Sequence, residues 1–386
     1  MPMLRPLAVL PLLAMLASCA AGPSPSVIDA ALRGDLEGAT RRALKDELRR
    51  QGVPTDIAGV PALIDRLATI VADLWGEDDP ELASERRYVK YSGQFEARAI
   101  VDFAEGWLQV ETVATAQPEA ALRQAIVGAL LTPRDMTIED VFSGAEPPAG
   151  GEPFLYGQVL DQDGEPIRWR WRAERFARYL IDRGLRTRRE HGRVVRSVRA
   201  ELVDNHRQLR QLEYLDQVLA ASRRYRVPPS LIYGVIEVES AFNPYAISPA
   251  RAYGLMQVVP ATAGRDVFER IKRQAGEPTR EQLFRPAFNI DIGSAYLHLL
   301  DDVYLKQIRD PASREHVMIA SYNGGAGSTL RAFDRDRERA IARINAMAPA
   351  DVYARIVARH PFGETRRYLE KVRAAERRYR STAAGS

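Results

Sequence analysis

The stretch Val227 to Thr262 carries the residues best suited to do chemistry. Ile232, Val235, Ile236 and Glu239 recur at i, i+3, i+4 and i+7, which is one face of a helix. Pro228 and Pro229 fit the start of that helix, with Ser230 in its first turn. A carboxylate on an apolar face is costly, so it either finds a partner or raises its pKa until it keeps its proton at neutral pH. A carboxylic acid that stays protonated can act as a general acid. Glu237 is two residues away, about 200° around the helix, so the two acids cannot serve one bond together. Glu237 therefore reads as a solvated surface residue. On the helix alone, a structural Glu239 tied to an arginine or a helix end stays open.

The segments that must position Glu239 lie downstream. Glu239-Ser240-Ala241-Phe242-Asn243-Pro244 leaves the helix abruptly. Ser248, Gly254-Leu255-Met256-Gln257 and Pro260-Ala261-Thr262 follow. Ala320-Ser321-Tyr322-Asn323-Gly324-Gly325 offers a glycine pair that lets backbone approach a ligand, or equally a helix C-cap. Glu364-Thr365-Arg366-Arg367-Tyr368 lies near the end. This ordered series resembles the soluble lytic transglycosylase domain, a lysozyme-like all-α fold that cleaves peptidoglycan. Ser321 stands where that family usually has Ala.

The resemblance implies a reaction. Glycosidases ordinarily flank the bond with two carboxyl groups about 5 to 9.5 Å apart, and these motifs supply one, Glu239. A single acid suffices if the substrate brings the nucleophile. In the family, the acid protonates the oxygen between N-acetylmuramic acid and N-acetylglucosamine, and the 2-acetamido carbonyl helps stabilise the cationic sugar. The deprotonated acid then takes the proton of the sugar's own 6-hydroxyl as it closes onto C1. The product is a 1,6-anhydromuramoyl end. By the same match, Ser248, Gln257, Tyr322, Asn323 and Tyr368 bind or orient the glycan, Glu364 stands at the far wall, and Met256 is an adaptable groove wall or plain core. A goose-lysozyme-type hydrolase shares the fold and the single Glu, and a wall-binding scaffold without activity is a third reading. No cofactor or metal is implied: His191, His206, His298, His316 and His360 are scattered without paired ligand spacing.

The chain has 386 residues, enough for two domains, and a net charge of +4, with five lysines against fifty arginines. A mildly basic surface suits an anionic polymer such as cell wall or nucleic acid; the motifs favour glycan strands and no nucleic acid. Arg5 and the apolar run Leu7 to Leu16 read as a targeting segment too short to span a bilayer. Leu16-Ala17-Ser18-Cys19 resembles a bacterial lipobox, and Cys19 is the sole cysteine. Lipidation there, with Ala20 next, implies an anchor at the periplasmic face of the outer membrane.

The expected division is a signal peptide at 1–18, a tether at 19–26, an α+β domain at 27–204 and the catalytic domain at 205–386. Helices are expected over 27–51 and 62–75 and over 118–131 and 169–182. A hairpin is expected around Ala104-Glu105-Gly106, with further strands over 154–160 and 194–203. In this first domain Glu111, Asp161 and Asp163 read as turn and exposed-strand acids. The arginines from Arg186 to Arg199 read as a solvated strand edge, or more sharply as a patch that meets the anionic peptide stems of the wall. Tyr88 to Ser92, Val101 to Phe103, Pro153 to Asp161 and Gly164 to Trp169 resemble the N-terminal domain of the membrane-bound lytic murein transglycosylase C family. Residues 205–211 read as the interdomain link, Leu212 to Tyr225 and Phe288 to Tyr304 as helices, and the segment Arg373 to Arg380 as an exposed tail.

Overall fold

The computed structural model describes residues 74–75, 84, 86–134, 136, 144–146, 150–190, 192–248 and 250–384. The targeting segment, Cys19, the tether and nearly all of the two N-terminal helices expected from the sequence lie outside them.

The first domain is built on an antiparallel sheet of strands β1 (Arg87–Ser92), β2 (Ala97–Asp102), β3 (Trp107–Thr112), β4 (Arg186–Glu190) and β5 (Arg193–Glu201), in the order β1-β2-β3-β5-β4. Alternation decides which residues face which way. Tyr88, Ala99, Val101, Leu108, Val110 and Val198 point to one face and are buried under α1 (Pro118–Leu130) and α2 (Arg170–Gly184). Val89, Tyr91, Ile100 and Val195 point to the other and pack with Trp75. On that second face Glu111 is fully buried, not exposed as expected. It pairs with Arg98 at 2.7 Å and with Arg188, a β4 arginine. Burial works to raise the Glu111 carboxyl, but the two guanidiniums outweigh it and hold it below its ordinary value. Asp161 is buried as well. Against the pull of burial, backbone donors and the Arg172 and Arg175 guanidiniums lower it to about 2.

β4 is an edge strand whose arginines are largely solvated, in line with the plainer reading of that patch. Residues 154–160, expected as a strand, form turns instead. Gly157 takes φ +73, and Tyr156 and Gln158 donate backward to Pro153 and Leu155, which breaks the extended run.

Residues 205–211 are no loose link. They begin helix α3 (His206–Glu213), and a break at Tyr214 separates it from α4 (Leu215–Tyr225). The regular elements beyond are all helical: α5 (Pro229–Ser240), α6 (Pro286–Leu299), α7 (Pro311–Gly324), five shorter α-helices, three π-helical turns and the long α8 (Gly363–Ala384). α5 is buried nearly all round, and α8 runs along it. A Cβ at Gly234 would lie 3.2 Å from the Glu376 nitrogen of α8, so the two backbones meet closely. The segment expected as an exposed tail is therefore a packing helix: Tyr379 sits on Tyr233 and hydrogen-bonds Glu237, which also pairs with Arg378. Glu237 is thus a partnered residue and not a solvated one. On the helix expected over Phe288 to Tyr304, Ile292, Ala295, Leu299 and Leu300 are fully buried, whereas Val303 is 43% exposed because the chain widens into a π turn over Leu300–Tyr304.

The two domains share one continuous core. Arg210, 1% exposed, lays its guanidinium 3.3 Å above the Phe103 ring and donates to the Phe242 carbonyl. Tyr245 packs on Tyr88 and Phe154 and donates to the Arg134 carbonyl at 2.8 Å. The turn that follows Glu239 is thereby pinned by the first domain.

This burial has a pH consequence. Desolvation, helped by Arg210 and Arg207, lowers His206 to about 4, and desolvation with Arg373 does the same for His316. The unfolded chain takes up these protons near pH 6.5 and the folded chain only near 4, so stability falls as pH drops through that window. Each histidine contributes up to about 3 kcal/mol. Urea titrations across the window are expected to show a steady loss of unfolding free energy, and a level profile would contradict it.

Candidate active site

Glu239 lies in the last turn of α5, half-buried. The helix ends two residues later because Ala241 and Phe242 take left-handed conformations, φ 48° and 64°. The Ala241 N–H closes on the Glu237 carbonyl at 3.0 Å, and Ser240 Oγ donates to the Leu255 carbonyl at 2.8 Å. That second bond ties the end of α5 to the loop ahead.

Two phenols meet Glu239 from distant parts of the chain. Tyr322 comes from the last turn of α7 and Tyr368 from the start of α8. Burial raises both phenols well above their ordinary range, and the neighbouring Glu239 carboxyl is the next largest cause for each. The buried Tyr368 hydroxyl lies close to the Glu239 carboxyl. Both phenols therefore stay neutral donors at any ordinary pH. Tyr322 spends its proton on the Met256 carbonyl at 2.8 Å and packs against Tyr296, their ring centres 5.6 Å apart.

The Met256-Gln257 loop is held from beneath. Met256 is fully buried and Gln257 is 8% exposed with φ 47°. The Gln257 amide donates to Ala246 and Gly254 carbonyls at 3.1 and 2.9 Å. Its Oε1 is buried without a donor among the described residues. Asn289, wholly buried on α6, accepts from the Met256 N–H at 2.7 Å and donates to the Tyr253 and Leu283 carbonyls at 2.7 Å each. Gly254, φ +75, passes so close that a Cβ would lie 2.3 Å from the Asn289 amide nitrogen. The sequence reading of this segment as a helix did not single out Asn289. Its signal was a polar residue in register with Ile292 and Tyr296, the same kind of anomaly that marked Glu239.

The remaining expected residues divide. Asn323 donates to Glu364 at 3.2 Å and accepts from Thr365 Oγ1 at 2.6 Å, so Asn323 and Glu364 form one chain of polar groups beyond Tyr322. Glu364 is exposed. Ser248 is turned to local work: its Oγ accepts from the Ala252 N–H at 3.1 Å and shapes the loop. Gly325 caps α7 at φ +79, and Gly324 lies where a Cβ would strike Thr365 Oγ1 at 2.7 Å and the buried His360 ring at 2.8 Å. The cap reading is therefore realised at Gly325, and the close approach at Gly324 is to Thr365 and His360. Ser321 is fully buried, and its hydroxyl has no partner among the described residues.

One acid, two neutral phenols and a clamped loop on a helical scaffold define a site of the lytic-transglycosylase class. Residues 216–345 match the family model of the transglycosylase SLT domain, and residues 53–213 match that of the N-terminal domain of membrane-bound lytic murein transglycosylase C. The chain is 48% identical over 326 residues to the membrane-bound lytic murein transglycosylase C of Klebsiella pneumoniae, covering 84% of this chain and 90% of that one. It is 45% identical over 337 residues to the protein of the same name from Yersinia enterocolitica, covering 87% and 94%. Among solved structures, the 70 kDa soluble lytic transglycosylase of Escherichia coli matches with TM-score 0.34 and 27% identity, over 44% of this chain and 24% of that one. The chain belongs to the membrane-bound lytic murein transglycosylase C family.

Proposed function

We propose that this protein is a peptidoglycan lytic transglycosylase in which Glu239 is the general acid and then the general base. The observation that carries the reading is the Glu239 carboxyl at the end of a buried helix, flanked by two neutral phenols. Glu239 donates its proton to the glycosidic oxygen between N-acetylmuramic acid and N-acetylglucosamine as that bond breaks. The acetamido oxygen shields the cationic carbon. Glu239 then takes the proton of the 6-hydroxyl as its oxygen bonds to C1, and the acid is regenerated with no water consumed. Proton transfer of this kind is worth about 10²–10⁴-fold.

Tyr368 donates toward Glu239 and orients it. Tyr322 holds the Met256 carbonyl and presents a ring edge to sugar. Gln257, Asn323 and Glu364 supply polar groups along the groove, and Ser248 shapes its rim. The relatives are named as membrane-bound, which supports membrane association of this chain; the lipobox-like Leu16-Ala17-Ser18-Cys19 is the basis for proposing a lipid on Cys19 at the periplasmic face of the outer membrane. Among the described residues no helix is long and apolar enough to cross a membrane.

Mass spectrometry of digested sacculi tests the reaction. Muropeptides are expected to carry anhydro ends, one water lighter than reducing ends. Reducing ends would assign a hydrolase of goose-lysozyme type, and no release at all would assign a wall-binding scaffold.

A further inference from the structure

On the side of α5 away from Glu239, a pocket of about 210 Å³ opens at the seam between the two domains. Its floor is apolar, with Phe103 from the first domain and Val238 and Phe242 from the catalytic one. Arg86, Arg207, Lys371 and Arg378 line it, against the single carboxylate of Glu237. That carboxylate is already engaged by Arg378 and the Tyr379 hydroxyl. Arg86, Arg207 and Lys371 are exposed at its edge. The volume falls below the roughly 300–1,000 Å³ of sites for drug-sized ligands. It suits one or two residues of a peptide and is too small for a run of sugars.

We propose that this pocket binds an acidic peptide, the carboxylate-bearing stem of peptidoglycan. The inference rests on peptidoglycan being the substrate. Stem peptides join small apolar residues to free carboxylates, which matches an apolar floor ringed by cations. Glu239 faces the opposite side of the same helix, so the stem held here belongs to a neighbouring strand or to a distant repeat of the strand being cut. The pocket thus anchors the enzyme on cross-linked wall while the groove works on one glycan.

The test titrates the whole chain by calorimetry with the tetrapeptide that an amidase frees from murein, and with its fully amidated counterpart. The amidated peptide is expected to bind about ten-fold more weakly, and an Arg86→Ser/Lys371→Ser variant to lose about ten-fold for the acidic one. Lys371→Arg alone should keep the affinity. Both sites are exposed, and an unaltered unfolding midpoint checks the fold of each variant. In the double variant, the ratio of cleavage on sacculi to cleavage on peptide-free strands is expected to fall about three-fold. Equal binding of the two peptides, or undiminished binding by the double variant, overturns the proposal. The titration needs no turnover, so absence of anhydro ends would strike the proposed reaction and leave this site to be judged by binding alone.

Discussion

Glu239→Gln is expected to cut muropeptide release from sacculi by at least about 10²–10⁴-fold, the worth of general acid–base catalysis. The amide keeps the size of the side chain, so the neighbourhood of Tyr322 and Tyr368 stays intact. What it loses is the proton that must reach the leaving oxygen, and the basic oxygen that must retrieve one. Because Glu239 would serve both steps, removing it leaves no second acid to take over. Glu239→Asp is a sharper version. It keeps the acid but draws it back by a methylene, and a shift of about 1 Å can cost about 10²-fold. Chromatography of released muropeptides reads both variants, with thermal unfolding to check that each is folded. Release by Glu239→Gln at the wild-type rate would remove Glu239 from the reaction.

Asn289→Leu is expected to destabilise the fold by about 3–5 kcal/mol, one of the largest single-residue effects in the chain. The substitution is close in size, so packing is not the reason. It strands the Met256 N–H and the Leu283 carbonyl inside the protein and leaves the Tyr253 carbonyl with the Val258 N–H alone. Each unsatisfied buried group costs about 1–3 kcal/mol. The same bonds fix the loop that carries Met256 and Gln257, so activity should fall further than the folded fraction does. Urea unfolding gives the first quantity. Turnover at a temperature where the variant is fully folded gives the second. A loss of stability under about 1 kcal/mol would show that water or a shifted backbone satisfies the two stranded groups.

The seam alters how the first domain is understood. Tyr245, in the turn after α5, buries its ring with Tyr88 and Phe154, and Arg210 lies over the Phe103 ring while it donates to the Phe242 carbonyl. Cutting the chain near 205 would bare these rings, so the catalytic half is not a free-standing body that the first half merely carries.

Local order was legible in the sequence where local rules apply. The period-two run around Ala97 to Val113, the helices at Pro118, Arg170 and Pro229, and the acid on an apolar face all follow from side-chain spacing, which one segment specifies by itself. The motif order identified the catalytic half, because its residues must recur at fixed steps to place one acid beside one bond. The sequence misled where tertiary context overrules spacing. Residues 154–160 look extended, yet the left-handed Gly157 folds them into turns. Arg373 to Arg380 look like a solvated tail, yet α8 lies along α5 and its Glu376 is 1% exposed. Only packing decided that Glu237 pairs with Arg378, that Asn289 clamps the loop from beneath, and that the two domains enclose a cationic pocket. Spacing reports which residues share a face of one element. Which faces then meet depends on how separate elements exclude water together, and no single segment contains that information.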